Sequence, residues 1–107
     1  MPTYNKLIRD KIPEIMEADG NSYRVRTLEE QEFQQQLRTK LREEVSEYLE
    51  AGDNESALEE LADILEVVNA LAEVHGFSIE QLEQVRVRKV DQRGGFQKKL
   101  FLIDVDK

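Results

Sequence analysis

The sequence predicts a mainly all-α fold: a bundle of about four helices in a single domain over residues 1–107. Three observations lead there. From Phe33 to Val74 apolar residues recur at helical spacing, interrupted once by a turn-forming AGDNES. Helix-start signals stand at Pro13, Thr27 and Ser78, and helix-ending glycines at Gly20, Gly76 and Gly94–Gly95. Only two short segments have strand character, residues 22–27 and 100–105.

Residues 1–11 alternate charge and apolarity without a clear period. A short first helix begins near Pro13, a favourable first-turn residue, carries Ile12, Ile15 and Met16, and ends by Gly20. SYRVRT at 22–27 alternates like a strand. Thr27 with Glu30 three residues on has the form of a capping box, opening a long helix to about Ala51. The next helix starts at Asn54 or Ser56 and ends at Gly76. Ser78 caps a fourth through about Gln92, anchored by Ile79 and Leu82. LFLIDV at 100–105 is a strand-length apolar run whose candidate partner is 22–27, in a two-stranded β ribbon packed on helices. No repeat, low-complexity tract or linker divides the chain.

The chain is organised around Lys40–Asp63, KLREEVSEYLEAGDNESALEELAD. It holds two acid pairs, Glu44/Glu47 and Glu60/Asp63, each spaced i,i+3, with twelve residues between the pairs. Side chains three apart on a helix share a face, roughly 5–6 Å between Cβ atoms. Antiparallel helices then bring four carboxylates together, an oxygen-only donor set of the kind that binds Mg²⁺. Spacing alone is common in so acidic a chain: Glu14/Glu17, Glu29/Glu32 and Glu80/Glu83 repeat it. Position on the helical wheel separates them. Phe33, Leu37, Leu41, Val45, Tyr48 and Leu49 define one apolar arc; Glu44 falls inside it and Glu47 on its edge. On the following helix Leu58, Leu61, Leu65, Val68 and Ala72 form one stripe, and Ile64, Val67, Leu71 and Val74 a second. Glu60 and Asp63 flank Val67 in line with that second stripe, whereas Glu59, Glu66 and Glu73 form a solvated face. Acids on an apolar face need a charge or metal to offset desolvation.

The remaining composition narrows the class. Without cysteine there is neither a disulfide framework nor a thiolate metal site. No apolar run approaches the ~20 residues of a membrane span, and MPTYNKLIRDK lacks the apolar core of a signal peptide; a cytoplasmic protein without a membrane partner is expected. A net charge of −8 argues against nucleic acid as a partner. Lys89 and Arg93, spaced i,i+4 on the side of Leu82, are either snorkelling stems or contacts to phosphates held on the metal. His75 before Gly76 suits a helix end better than catalysis, and Asn69 a polar helix–helix role.

E44-V-S-E47 and E60-L-A-D63 follow the E-x-x-E…E-x-x-D pattern of the all-α NTP pyrophosphatase superfamily, which the sequence resembles. YNKLIRDKIPEIM at 4–16, KLREEVSE at 40–47, EELADILEV at 59–67 and RGGF at 93–96 resemble a small MazG-like branch within it. That branch is labelled phosphoribosyl-ATP pyrophosphohydrolase-like and associated with nucleotide house-cleaning. The resemblance covers nearly the whole chain. It implies hydrolysis of a nucleoside triphosphate between the α and β phosphates, giving the monophosphate and pyrophosphate. It implies Mg²⁺, with Mn²⁺ able to substitute, held by Glu44, Glu47, Glu60 and Asp63, with Glu47 also the general base. Lys89 and Arg93 would steady the phosphates. Lys6 and Arg9 lie in a matching motif and either contact substrate or brace the fold, with Asp10 as their structural partner. A homodimer or homotetramer is implied, which the doubly apolar second acid helix also asks for. The rival expectations are phosphoribosyl-ATP hydrolysis in histidine biosynthesis, a non-catalytic nucleotide- or metal-binding module, and a purely structural bundle.

Overall fold

The computed structural model describes residues 3–106; Met1, Pro2 and Lys107 of the expected domain lie outside the described residues. Four helices follow in order: α1 (Ile12–Ala18), α2 (Glu30–Glu50), α3 (Asn54–Val74) and α4 (Ile79–Arg93). The fold is all-α, with no strand among the described residues. Helix-to-helix packing joins α2 to α3 and α3 to α4.

Local chemistry sets most boundaries. α1 and α3 both close in a Schellman motif with glycine at the left-handed position. After α1 the Gly20 N–H bonds the Glu17 carbonyl and the Asn21 N–H that of Met16. After α3 the Gly76 N–H bonds Glu73 and the Phe77 N–H bonds Ala72. Gly20 and Gly76 adopt φ of 78° and 87°, which a Cβ would strain. His75 is the C-cap residue, in line with its place before glycine. α4 opens with the expected Ser78 cap: its hydroxyl accepts from the Gln81 N–H while the Gln81 side chain accepts from the Ser78 N–H.

One boundary departs from expectation, at α2, while α3 starts at Asn54 as expected. α2 starts at Glu30 with Glu29 as N-cap and no side-chain cap bond, so Thr27 caps nothing. Arg26 instead reaches past the helix start and grips both oxygens of Glu32, at 3.0 and 2.7 Å, which fixes the incoming chain by another route. At α3 the cap is Asp53, whose carboxylate accepts the Ser56 N–H at 2.7 Å.

The β ribbon does not form within the chain. Residues 22–27 and 100–105 lie outside any helix and are exposed, and the described backbone of 22–28 and 100–106 makes no backbone–backbone hydrogen bond. An isolated two-stranded ribbon is marginal in water, and no helix packing brings the two segments together here.

The α2–α3 hairpin carries the interior. The buried apolar side chains among the described residues are Leu37 and Val67, one on each helix and equally far from Gly52 in the turn. Glu44 and Glu60 share that symmetry, one heptad nearer the turn, and so lie on the same inward faces. The stripe of Leu58, Leu61 and Leu65 is left uncovered. The radius of gyration is 18.4 Å, against about 13 Å for a compact chain of this length.

Candidate metal centre

Glu44, Glu47 and Glu60 meet where α2 and α3 face each other. Each offers a carboxylate oxygen within 4.8 Å of the others. They grade from interior to solvent: Glu44 is buried, Glu60 half-buried and Glu47 exposed. Glu44 Oε2 and Glu60 Oε2 are both shut off from solvent without a hydrogen-bond partner. Two orphaned acceptors beside each other are costly, because each has lost water and gained no donor.

The electrostatics follow. Burial pushes the Glu44 carboxyl above the ordinary 4.5, helped by the charge of Glu47 and of Asp63; only Lys40 pulls it down. Burial likewise raises Glu60, followed by the closeness and charge of Glu47, to about 7. Lys40 Nζ lies 3.6 Å from Glu44 Oε1 and offsets part of the negative field. Its position one helical turn before Glu44 was readable in the sequence, through the i,i+4 spacing.

Asp63, the fourth acid, adds its charge to this field but is engaged elsewhere. Arg9 Nη2 donates to Asp63 Oδ1 at 2.6 Å, tying the N-terminal segment to α3. Arg9 therefore takes Asp63 as its partner and not Asp10. Nothing in the sequence signals a pair 54 positions apart. Lys6 is exposed, its Nζ 5.3 Å from the Tyr4 ring centroid, in cation–π range. Lys89 and Arg93 are exposed on α4 and form no ion pair among the described residues. The structure thus brings together Glu44, Glu47 and Glu60, sets Asp63 beside them on Arg9, and leaves Lys6, Lys89 and Arg93 free of the cluster.

The donor set fits a hard divalent cation. It is all carboxylate oxygen, two of those oxygens lack any partner, and their ligand atoms are within 4.8 Å of one another. A cation there supplies the counter-charge that two stranded acceptors and the raised pKa values call for.

The profile of the MazG nucleotide pyrophosphohydrolase domain matches residues 32–95, from the first turn of α2 through the end of α4. The chain belongs to this family. Its helical fold is that of a MazG domain, and the family supports nucleotide pyrophosphohydrolase activity. An uncharacterized protein of Mycolicibacterium smegmatis (strain ATCC 700084 / mc(2)155) is 43% identical over 54 residues, covering 50% of this chain and 55% of the relative. The MazG chain described here thus spans about half the length of the curated relative it matches. No solved structure matches. No helix is long and apolar enough to cross a membrane among the described residues.

Proposed function

We propose that the chain is a Mg²⁺-dependent nucleoside triphosphate pyrophosphohydrolase, with Mn²⁺ able to substitute, that cleaves between the α and β phosphates. The products are a nucleoside monophosphate and pyrophosphate, and the role is house-cleaning of non-canonical nucleotides. The observation that carries this reading is the pair of buried, partnerless oxygens on Glu44 and Glu60, facing one another in a MazG hairpin.

Glu44, Glu47, Glu60 and Asp63 are the metal ligands in this reading. A triphosphate and a cluster of carboxylates repel each other, so the cation is what lets the substrate approach. A divalent ion held by these carboxylates would supply charge neutralisation and a more acidic water. The protein's part is positioning, which dominates phosphoryl transfer. Glu44, buried on α2 and braced by Lys40, fixes the inner edge of the site. Glu47 is the exposed member and can reach water at the mouth, which suits it to accept the proton of the attacking water. Arg9 pairs with Asp63 at the edge of the cluster, and its exposed guanidinium would suit phosphate oxygens there. Lys89 and Arg93, unengaged on α4, steady the phosphate chain, with Lys6 a further cation on the N-terminal segment.

The exposed Leu58, Leu61 and Leu65 stripe, 70%, 46% and 59% accessible, supports a homodimer or homotetramer built on α3. Two buried apolar side chains are a thin core for a chain of 107 residues, and a second copy supplies the missing cover. Leu61→Asp combined with Leu65→Asp should weaken the α3 pairing, seen as a smaller oligomeric fraction by native mass spectrometry.

The deciding experiment is pyrophosphate release from canonical, deoxy and modified triphosphates and from phosphoribosyl-ATP, with and without Mg²⁺. Selective metal-dependent turnover of one triphosphate supports the proposal. Turnover of phosphoribosyl-ATP alone assigns the chain to histidine biosynthesis. Silence in a folded, metal-binding sample rejects catalysis.

A further inference from the structure

Two features of the chain remain unused by the proposed reaction, and they complement each other. Residues 100–105 are an irregular apolar segment without cover: Leu100 is 87% exposed, Phe101 90%, Leu102 75%, Ile103 88% and Val105 61%. Residues 22–27 are irregular and exposed as well, with Tyr23 and Val25 at 38% and 56%. Both present a row of backbone N–H and C=O groups with no backbone partner among the described residues. Such rows are templates for strand pairing.

Charge and alternation fix how they match. The first segment carries Arg24 and Arg26 and no acid; the second carries Asp104, followed by Asp106, and no base. In each, alternate residues point to opposite faces. Tyr23, Val25 and Thr27 share one face of the first, and Phe101, Ile103 and Val105 one face of the second. Antiparallel pairing with Ile103 opposite Val25 sets Val105 against Tyr23 and Phe101 against Thr27. The same register puts Asp104 opposite Arg24. Arg26 is already committed to Glu32, whereas Arg24 makes no ion pair among the described residues. The parallel alternative, with Ile103 still beside Val25, directs Asp104 to the occupied Arg26 and leaves Arg24 without a counter-charge.

We infer that residues 100–105 of one copy of this chain add as an antiparallel strand to residues 22–27 of a second copy, in a reciprocal exchange of C-terminal arms. A second copy is the occupant because it carries the complementary segment, charge for charge, while within one chain no backbone hydrogen bond joins the two. A two-fold axis makes the exchange occur twice, doubling the ribbon and covering apolar surface that a lone chain leaves in water. This interface is separate from the α3 stripe and stands without it.

The chain has no cysteine, which makes the test clean. Val25→Cys and Ile103→Cys are introduced in separate, differently sized full-length proteins, mixed, and oxidised. Residues directly opposite on paired strands meet the narrow Cβ separation that a disulfide needs, whereas a neighbour on the other face does not. The expected result is a heterodimer band that forms at least about tenfold faster than with Arg24→Cys in place of Val25→Cys. A chain carrying both Val25→Cys and Ile103→Cys should give linked dimers, not an internally bridged monomer. Asp104→Arg should weaken cross-linking about fivefold, and Arg24→Asp in the partner should restore it. An internally bridged monomer overturns the exchange, as does equal cross-linking from both cysteine positions. A protein that is dimeric by mass yet gives no cross-link overturns the arm exchange alone and leaves the α3 pairing in place.

Discussion

Glu44→Gln separates the cost of the acid cluster from its use. The substitution keeps the side chain's shape, removes its charge, and gives the buried site an N–H₂ donor where Glu44 Oε2 now has no partner. A buried oxygen left unsatisfied costs about 1–3 kcal/mol. Loss of the Lys40 contact, at 3.6 Å and with Lys40 24% exposed, returns part of that. The net expectation for chelated protein at pH 8 is a gain of roughly 1 kcal/mol, or about 4–8 °C in melting temperature for a domain of this size. Adding Mg²⁺ at about a hundred times its dissociation constant stabilises the parent by about 2.7 kcal/mol. The variant, stripped of its innermost ligand, gains far less, so the order of stabilities reverses between chelator and Mg²⁺. The pH dependence supplies an internal control. Glu44 holds its proton more tightly folded than unfolded, so its destabilising effect is absent below the ordinary 4.5 and grows as pH rises through the elevated folded value. Parent and variant should therefore converge in chelator as pH falls toward 4.5. Scanning calorimetry of both proteins, with EDTA and with Mg²⁺, at pH 8 and pH 5 reads all of this. A variant that loses stability in EDTA contradicts the burial cost, and equal Mg²⁺ stabilisation of both proteins contradicts Glu44 as a ligand.

Metal binding should also compete with protons. With Glu60 pushed up to about 7, Mg²⁺ affinity should fall about tenfold per pH unit below 7, seen as proton release in titration calorimetry across buffers of different ionisation enthalpy; pH-independent affinity from 8 to 6 removes Glu60 from the ligand set. Arg9→Gln frees Asp63, so Mg²⁺ should bind up to about fivefold more tightly, the scale of a partly exposed ion pair, while KM for the triphosphate rises; an unchanged KM with tighter metal binding would mark Arg9 as a brace only. Ser78→Ala removes one half of the α4 capping box and should cost about 1 kcal/mol, lowering the melting temperature without changing Mg²⁺ affinity.

Much of this protein was legible along the chain because its determinants are local. Helical periodicity, the Ser78 box, the glycines after α1 and α3, and the AGDNES turn act within a few residues of where they stand. The acid cluster was legible for the same reason at one remove: Glu44 and Glu60 stand at equal reach on either side of Gly52 and meet once the hairpin closes. Glu44 on the apolar arc is buried as its place on the wheel indicates. Where a determinant spans the chain, sequence pattern fell short. Arg9 binds Asp63 through a chain reversal that no local spacing encodes. Thr27 matches a capping pattern, yet the fork of Arg26 on Glu32 sets the helix entry instead. The alternating segments 22–27 and 100–105 have strand chemistry, but pairing needs proximity, and packing within one chain does not provide it. Composition and spacing settle which residues want a partner; only the packed helices decide which partner is near enough to be had.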